Sequence, residues 1–105
     1  MTAQTGNTTT TTPTINSGAN TTILAANGFR KCLIIQNASA ADIAIGLEGQ
    51  TLTGIAPTST NKCFVLKSTA GLNILSFTDG FVPAGAITAY QTSGAPINTI
   101  VVIEG

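Results

Sequence analysis

The sequence of 105 residues has no histidine, no tryptophan and little charge. Four Lys and Arg residues balance four Asp and Glu residues, and charged residues make up 8% of the chain, against a usual share of about 25%. The balance argues against a nucleic-acid partner, because nucleic-acid binders carry a basic footprint. The scarcity of charge indicates a largely neutral surface, whereas a free monomer normally relies on charge for solubility.

The missing histidine also argues against an enzyme, because it removes the usual general base at neutral pH and every Ser-His-Asp or Cys-His system. The carboxylates are Asp42, Glu48, Asp79 and Glu104. Asp42 and Glu48 would share one strand at a separation of about 20 Å, whereas a glycosidase pair is roughly 5–9.5 Å apart. We therefore predict no catalytic residue, no cofactor and no bound metal.

The cysteines and the apolar runs limit the cellular setting. Cys32 and Cys63 lie in apolar stretches, which favours two buried, reduced thiols and leaves a disulfide as the alternative. No secretory signal follows Met1, and no apolar run approaches the roughly 20 residues needed to span a bilayer. We expect a protein made in a cytoplasm, with no membrane partner.

Residues 1–20 differ in composition from the rest of the chain. They contain five consecutive threonines followed by Pro13, a low-complexity segment with too little apolar surface to offset its ordering entropy. We predict a flexible N-terminal arm over residues 1–20 and one β domain over residues 21–105. Because threonine favours extended backbone, the arm suits contact with a neighbouring subunit or an exposed sheet edge; a tail without a role is the alternative.

From Thr21 onward, short apolar runs alternate with turn residues and show no helical stripe. Their spacing predicts an all-β fold: an antiparallel β-sandwich or jelly-roll-like domain of about eight short strands. An immunoglobulin-like domain is the rival, but it would usually contain a core tryptophan. The predicted strands span residues 21–26, 30–36, 42–47, 51–56, 62–67, 72–77, 86–92 and 98–104.

Local signals add detail to this pattern. Asn27-Gly28 fits a tight hairpin turn, and Glu48-Gly49 predicts another. Pro83 indicates that residues 81–85 form a corner rather than a central strand. The alternation over residues 42–48 predicts that every second side chain faces the core, namely Ile43, Ile45 and Leu47, and that Ala44 and Gly46 lie outside.

Three stretches carry a resemblance: RKCLIIQNAS at residues 30–39, DIAIG at residues 42–46 and VPAGAITA at residues 82–89. Their I-x-N-x-S strand end and VP-x-GAI corner are similar to those of small auxiliary virion proteins of tailed bacteriophages, over residues 28–105. The resemblance implies a capsid decoration (cement) protein on the outside of the virion. Such a protein forms homotrimers and binds the major capsid protein across neighbouring capsomers.

No functional residue is carried over from that resemblance, so the candidate contacts come from the residues themselves. The arm, the strand-flanking cations and two aromatic side chains supply them: Thr8, Thr9, Thr10, Thr11, Thr12, Pro13, Arg30, Lys31, Phe81 and Tyr90. An alternative function is a head-fibre or tail-associated module that contacts a fibre or a host glycan, with Tyr90 or Phe81 exposed as the anchor.

Overall fold

The chain forms eight strands in a computed structural model that describes residues 8–78 and 80–105. Among these residues there is no helix long and apolar enough to cross a membrane. The predicted all-β domain of antiparallel strands is confirmed. The strands are β1 (Thr9–Thr11), β2 (Thr21–Leu24), β3 (Leu33–Asn37), β4 (Ile43–Gly46), β5 (Phe64–Leu66), β6 (Ile74–Phe77), β7 (Ile87–Tyr90) and β8 (Ile100–Glu104).

The strands form two four-stranded sheets. The first sheet has the order β1-β8-β3-β6 and the second has the order β2-β7-β4-β5. Every pairing between strands is antiparallel. Each strand of the first half pairs with its counterpart counted from the other end of the chain, so that the polypeptide is a long hairpin divided between two sheets.

Alternate side chains of a strand point to the same face of its sheet. The core lies between the two sheets, where the inward-pointing side chains meet. Its members are aliphatic and β-branched, which suits a pleated and buried surface. Leu33 and Ile35 of β3 have no exposed surface, and the same is true of Ile43 and Ile45 of β4. The fully buried hydrophobic side chains are Ile15, Leu33, Ile35, Ile43, Ala44, Ile45, Ile87, Ala89, Ile100 and Val102.

The predicted strand at residues 51–56 is wrong, and so is the predicted exposure of Ala44 and Gly46. Residues 51–56 form no strand, and Leu52 among them is only 2% exposed. An ideal Cβ on Gly46 would lie 3.1 Å from Cδ2 of Leu52, and the Thr88 hydroxyl donates to the Gln50 carbonyl at 2.7 Å. Both faces of β4 are therefore buried, which hides the expected alternation.

The Asn27-Gly28 turn does not join a hairpin. β2 belongs to the second sheet and β3 to the first, so the turn carries the chain across the sandwich. The Asn27 side-chain oxygen accepts from the Phe29 amide at 3.0 Å, and the Asn27 amide donates to the Ala84 carbonyl at 2.8 Å. The dipeptide signal therefore located a turn correctly and assigned the wrong partner strands.

Residues 8–20 are joined to the rest of the protein by strand pairing and by one core side chain. β1 pairs with β8, with Thr10 opposite Ile103. Ile15 has no exposed surface, and its main chain exchanges two hydrogen bonds with Ile97, at 2.8 and 3.0 Å. Packing thus gives no break at the predicted boundary of residue 20; the side chain of Ile15 belongs to the core. The first seven residues of the predicted arm lie outside the described residues.

Candidate contact surface

Arg30, a predicted contact residue, is buried inside the protein. Its side chain has no exposed surface, and Nε forms a 2.7 Å ion pair with a carboxylate oxygen of Glu104. The remaining nitrogens donate to the carbonyls of Pro83, Gly85 (3.1 Å) and Ala25 (2.9 Å). Arg30 therefore joins β8, the residue after β2 and the corner at residues 81–85. This corrects the prediction, because a guanidinium occupied in this way cannot reach a partner.

The same corner explains the VP-x-GAI motif. An ideal Cβ on Gly85 would lie 2.7 Å from the Glu48 Cα and 2.5 Å from its carboxylate, so only glycine permits this approach. Glu48 and Gly49 have φ values of 58° and 72°, and the Gln50 amide closes their turn onto the Leu47 carbonyl at 3.3 Å. Two successive left-handed residues define a type I′ turn, which confirms the predicted tight turn at Glu48-Gly49.

The I-x-N-x-S motif is likewise structural. Asn37, at the end of β3, has no exposed surface. Its side-chain oxygen accepts from the Ser39 amide at 3.0 Å, and its nitrogen donates to the carbonyls of Ala41 at 2.7 Å and Leu66 at 3.0 Å. Because Leu66 belongs to the second sheet, Asn37 ties the two sheets together while it holds the loop after β3.

Gln91 repeats this device just after β7. Its side-chain oxygen accepts from the Ser93 amide at 2.6 Å, and its nitrogen donates to the carbonyls of Ala95 at 2.8 Å and Ile15 at 2.9 Å. The spacing amide-x-Ser-x-Ala recurs at residues 37–41 and 91–95, a signal that sequence reasoning missed. Gln91 also fixes the segment that carries Ile15 into the core.

Of the other predicted contact residues, some are exposed and the rest are half-buried. Thr8–Thr12 and Lys31 are exposed, and Pro13 is half-buried, so the threonines and Lys31 are accessible to a partner. Phe81 is 66% exposed and meets the Phe77 ring edge-on, at 6.0 Å between centroids. Tyr90 is half-buried on β7 beside Ala44 and is a poorer anchor than Phe81.

The outer face of the first sheet forms an apolar surface without charge, which we name the open face. The register places Ile34 opposite Ile103 and Ser76, and Gln36 opposite Val101 and Ile74. Directly opposed residues share a face, and Thr10 on β1 completes the row. The open face therefore consists of four aliphatic and three neutral polar side chains: Thr10, Ile34, Gln36, Ile74, Ser76, Val101 and Ile103.

The open face is accessible, whereas the outer face of the second sheet is covered in part. Ile74 is 52% exposed, Ile34 and Ile103 are half-buried, and Gln36 is exposed. The second sheet is covered over Gly46 by the loop that carries Leu52. The sequence signal for the open face was the four-residue apolar run at residues 100–103, which breaks the alternation expected of a strand with one solvated face.

A cleft of about 420 Å³ is the second accessible feature. Phe64 is 51% exposed at its edge, and the charged side chains of Glu48 and Lys62 line it together with the Cys63 thiol. Burial raises the pKa of Cys63, so the thiol is protonated at neutral pH. Both cysteines are free and half-buried; this agrees with the prediction of reduced thiols, and the thiols are less buried than predicted.

The carboxylates that the structure describes form ion pairs or pack against neighbouring residues. Glu104 is bound to Arg30, and Asp42 forms a 3.2 Å ion pair with Lys67 at the surface. Glu48 packs against Gly85, whereas Asp79 lies outside the described residues. Over residues 8–78 and 80–105, no cluster of three His, Cys, Asp or Glu side chains has the arrangement of a metal site.

The chain was compared with protein-family models, with curated proteins and with solved structures, and none of the three comparisons gave a match. Its function must therefore be inferred from its own surfaces. Among the described residues, the open face and the Phe64 cleft are two features that offer contact chemistry.

Proposed function

We propose that this protein is a structural virion protein that decorates the outside of a tailed-phage capsid and stabilises it by binding across neighbouring capsomers, as a homotrimer. The open face carries this proposal. A solvated sheet face normally presents polar side chains, whereas Ile34, Ile74, Val101 and Ile103 present aliphatic ones, with no charge among the seven members of the face.

The size of the open face favours a repeating lattice over an isolated pair. Four strands spaced about 4.8 Å apart and about 17 Å long give an area of about 300 Å². A stable interface needs roughly 800 Å² on each partner. Several modest contacts made together, as at the junction of capsomers, supply the missing affinity by multivalency. Ligands that bind only the assembled shell stabilise it by mass action.

The winding of the strands supports the finer prediction of a jelly-roll-like fold, since β1 pairs with β8 and β4 with β5, as a rolled hairpin requires. The role of the side chains supports an adhesive rather than a catalytic protein. Glu104 is engaged by Arg30, and Asn37 is engaged in holding a loop.

Binding to capsids tests this function. Heads assembled from the major capsid protein encoded with this chain, but without the chain itself, are mixed with purified protein and sedimented. The native protein should co-sediment at hundreds of copies per particle. Ile74→Lys places a charge in the open face, and we expect binding to weaken at least tenfold, equivalent to about 1.4 kcal/mol.

The matched control is Thr22→Lys, an exposed position on an edge strand of the second sheet. It should bind like the native protein. Native protein that leaves the heads unoccupied contradicts the proposed function. Equal binding by the Ile74 and Thr22 variants would show that attachment occurs elsewhere than on the open face.

The Phe64 cleft favours a second candidate, a head-fibre or tail-associated module that binds a host glycan. A half-exposed ring beside carboxylate, amide and ammonium groups suits a sugar, because the ring packs against C–H groups while Glu48, Gln50 and Lys62 bond hydroxyls. Phe64 thus replaces Tyr90 and Phe81 as the candidate platform. Glycan-array binding that is lost in Phe64→Ala and kept in Phe81→Ala would support this function; no binding by the native protein would refute it.

A further inference from the structure

Strand β1 pairs with the protein through its main chain, and none of its side chains is buried. All three of its residues, Thr9–Thr11, are exposed, and they pair with Val102, Ile103 and Glu104 of β8. Moving towards the C-terminus from Thr8, the first buried side chain is that of Ile15. The segment before Ile15 is therefore anchored at one end and paired at the other, with Pro13 between.

This pairing is weak for a physical reason. Ordering three residues costs conformational entropy of about the same size as the net contribution of the few main-chain hydrogen bonds that β1 forms. Buried side chains normally add the surplus, and β1 has none. The opposite edge strand, β6, differs in this respect, because Leu75 and Phe77 pack against the core.

The threonine run also makes the register of β1 degenerate. A one-residue slip normally moves a strand's side chains to the wrong face and is penalised for that reason. Residues 8–12 are all threonine, so a slipped strand offers the same side chains to β8. The edge of β8 therefore selects an extended threonine segment rather than one particular residue.

We propose that β1 exchanges between copies of this chain: the Thr9–Thr11 segment of one copy occupies the β8 edge of a second copy. The β8 edge and the β1 strand that pairs with it are both present in the fold, and the exchanged strand makes the same pairs as the original. The six residues from Ile15 back to Thr9 reach about 20 Å when extended, comparable with the 21 and 26 Å short dimensions of the protein.

Concentration decides which copy β1 occupies. In dilute solution a copy's own β8 wins, since a short tether gives it an effective concentration in the millimolar range. Exchange competes once neighbouring copies reach about the same concentration, as they do when packed side by side. This inference goes beyond the proposed function and needs no capsid, since the partner is a second copy of this chain.

Two chains with one new cysteine each test the exchange. In a background of Cys32→Ser and Cys63→Ser, Thr10→Cys and Ile103→Cys place the thiols on directly opposed residues of β1 and β8, a separation that a disulfide spans. The two chains are mixed at about 1 mM in a glutathione redox buffer. Heterodimers are then counted by mass spectrometry under non-reducing conditions.

The matched control pair is Ser76→Cys with Ile34→Cys, directly opposed on the same face at the β6 edge. We expect at least tenfold more heterodimer from the β1–β8 pair than from this control, and a yield that rises with concentration. Equal yields, or a β1–β8 heterodimer no more abundant than its two homodimers predict by chance, overturn the proposal.

One chain that carries both Thr10→Cys and Ile103→Cys verifies the geometry. It should oxidise to a cross-linked monomer when dilute and to an increasing fraction of dimer near 1 mM. Failure to cross-link at any concentration would mean that β1 does not occupy β8 at all and would also overturn the exchange. Chains that show no exchange but still bind heads would refute this inference and leave the proposed function standing.

Discussion

Replacing Arg30 by methionine should be among the most damaging single changes in this protein. Methionine keeps the aliphatic length but removes the donors to Glu104, Pro83, Gly85 and Ala25. The Glu104 side chain is only 21% exposed, so its carboxylate would be left partly buried without a partner. Breaking a buried ion pair in this way costs about 3–5 kcal/mol.

That loss is large against the total stability of a small domain, about 5–15 kcal/mol. With a urea m-value of about 1–3 kcal/mol/M, a loss of about 4 kcal/mol lowers the unfolding midpoint by roughly 1.3–4 M. Urea unfolding followed by far-UV circular dichroism measures this shift. Arg30→Lys should fall between the native protein and Arg30→Met, because an ammonium keeps the charge and loses the planar fork.

Two controls test whether the Arg30 guanidinium itself causes the loss of stability. Lys31→Met changes an exposed neighbouring cation and should alter stability by no more than about 0.5 kcal/mol. Arg30→Met combined with Glu104→Gln should cost less than the sum of the two single changes, by about 1–3 kcal/mol. An unfolding midpoint for Arg30→Met equal to that of Lys31→Met would mean that the guanidinium does not hold the corner.

Two further substitutions and one alkylation experiment have expected outcomes. Gly85→Ala forces a Cβ against Glu48 and should destabilise by about 1–3 kcal/mol in urea unfolding, while Gly28→Ala, which meets open space, should be close to neutral. Asn37→Leu removes the buried amide that donates to the Leu66 and Ala41 carbonyls and should cost about 1–3 kcal/mol in the same assay; a smaller loss would mean that water or the Ser39 hydroxyl replaces the amide. Because burial raises the pKa of Cys63, less thiolate is present at pH 8, and iodoacetamide should alkylate Cys63 in Cys32→Ser protein more slowly than a free cysteine peptide; an equal rate would contradict this.

The structure predicts different outcomes for two truncations of the N-terminal segment. Deletion of residues 2–18 would remove Ile15 from the core, and with it the carbonyl that accepts from Gln91. Deletion of residues 2–12 ends before Pro13 and removes only exposed positions among the described residues. We expect the longer deletion to lose several kcal/mol, as large-to-small core changes do, and the shorter one to keep its thermal unfolding midpoint within a few degrees.

Local sequence signals predicted those parts of the fold whose cause is local. The apolar runs located seven of the eight strands, because a buried strand needs adjacent β-branched and aliphatic residues wherever it pairs. Asn27-Gly28 and Glu48-Gly49 marked turns, because left-handed backbone or an Asx side chain is a property of one or two residues. These features depend on a few neighbouring residues, and the sequence shows all of them.

Contacts between residues that are far apart in the sequence could not be predicted in the same way. The threonine run looked like a separate arm because its composition has no apolar periodicity, whereas its main chain pairs with β8. Arg30 looked like a surface cation because it flanks a strand, whereas the acceptors that surround it come from residues 25, 83, 85 and 104. Main-chain carbonyls carry no residue-specific signal, so this cluster leaves no motif.

The sequence by itself determined an all-β chain with a neutral surface and no histidine chemistry, because composition and period-two patterning are local quantities. Only the tertiary structure decided which neutral surface is accessible. The loop carrying Leu52 covers the outer face of one sheet at Gly46, whereas the aliphatic side chains on the outer face of the other sheet remain in contact with solvent. That difference depends on where a loop between two strands packs in space, which no short stretch of residues encodes.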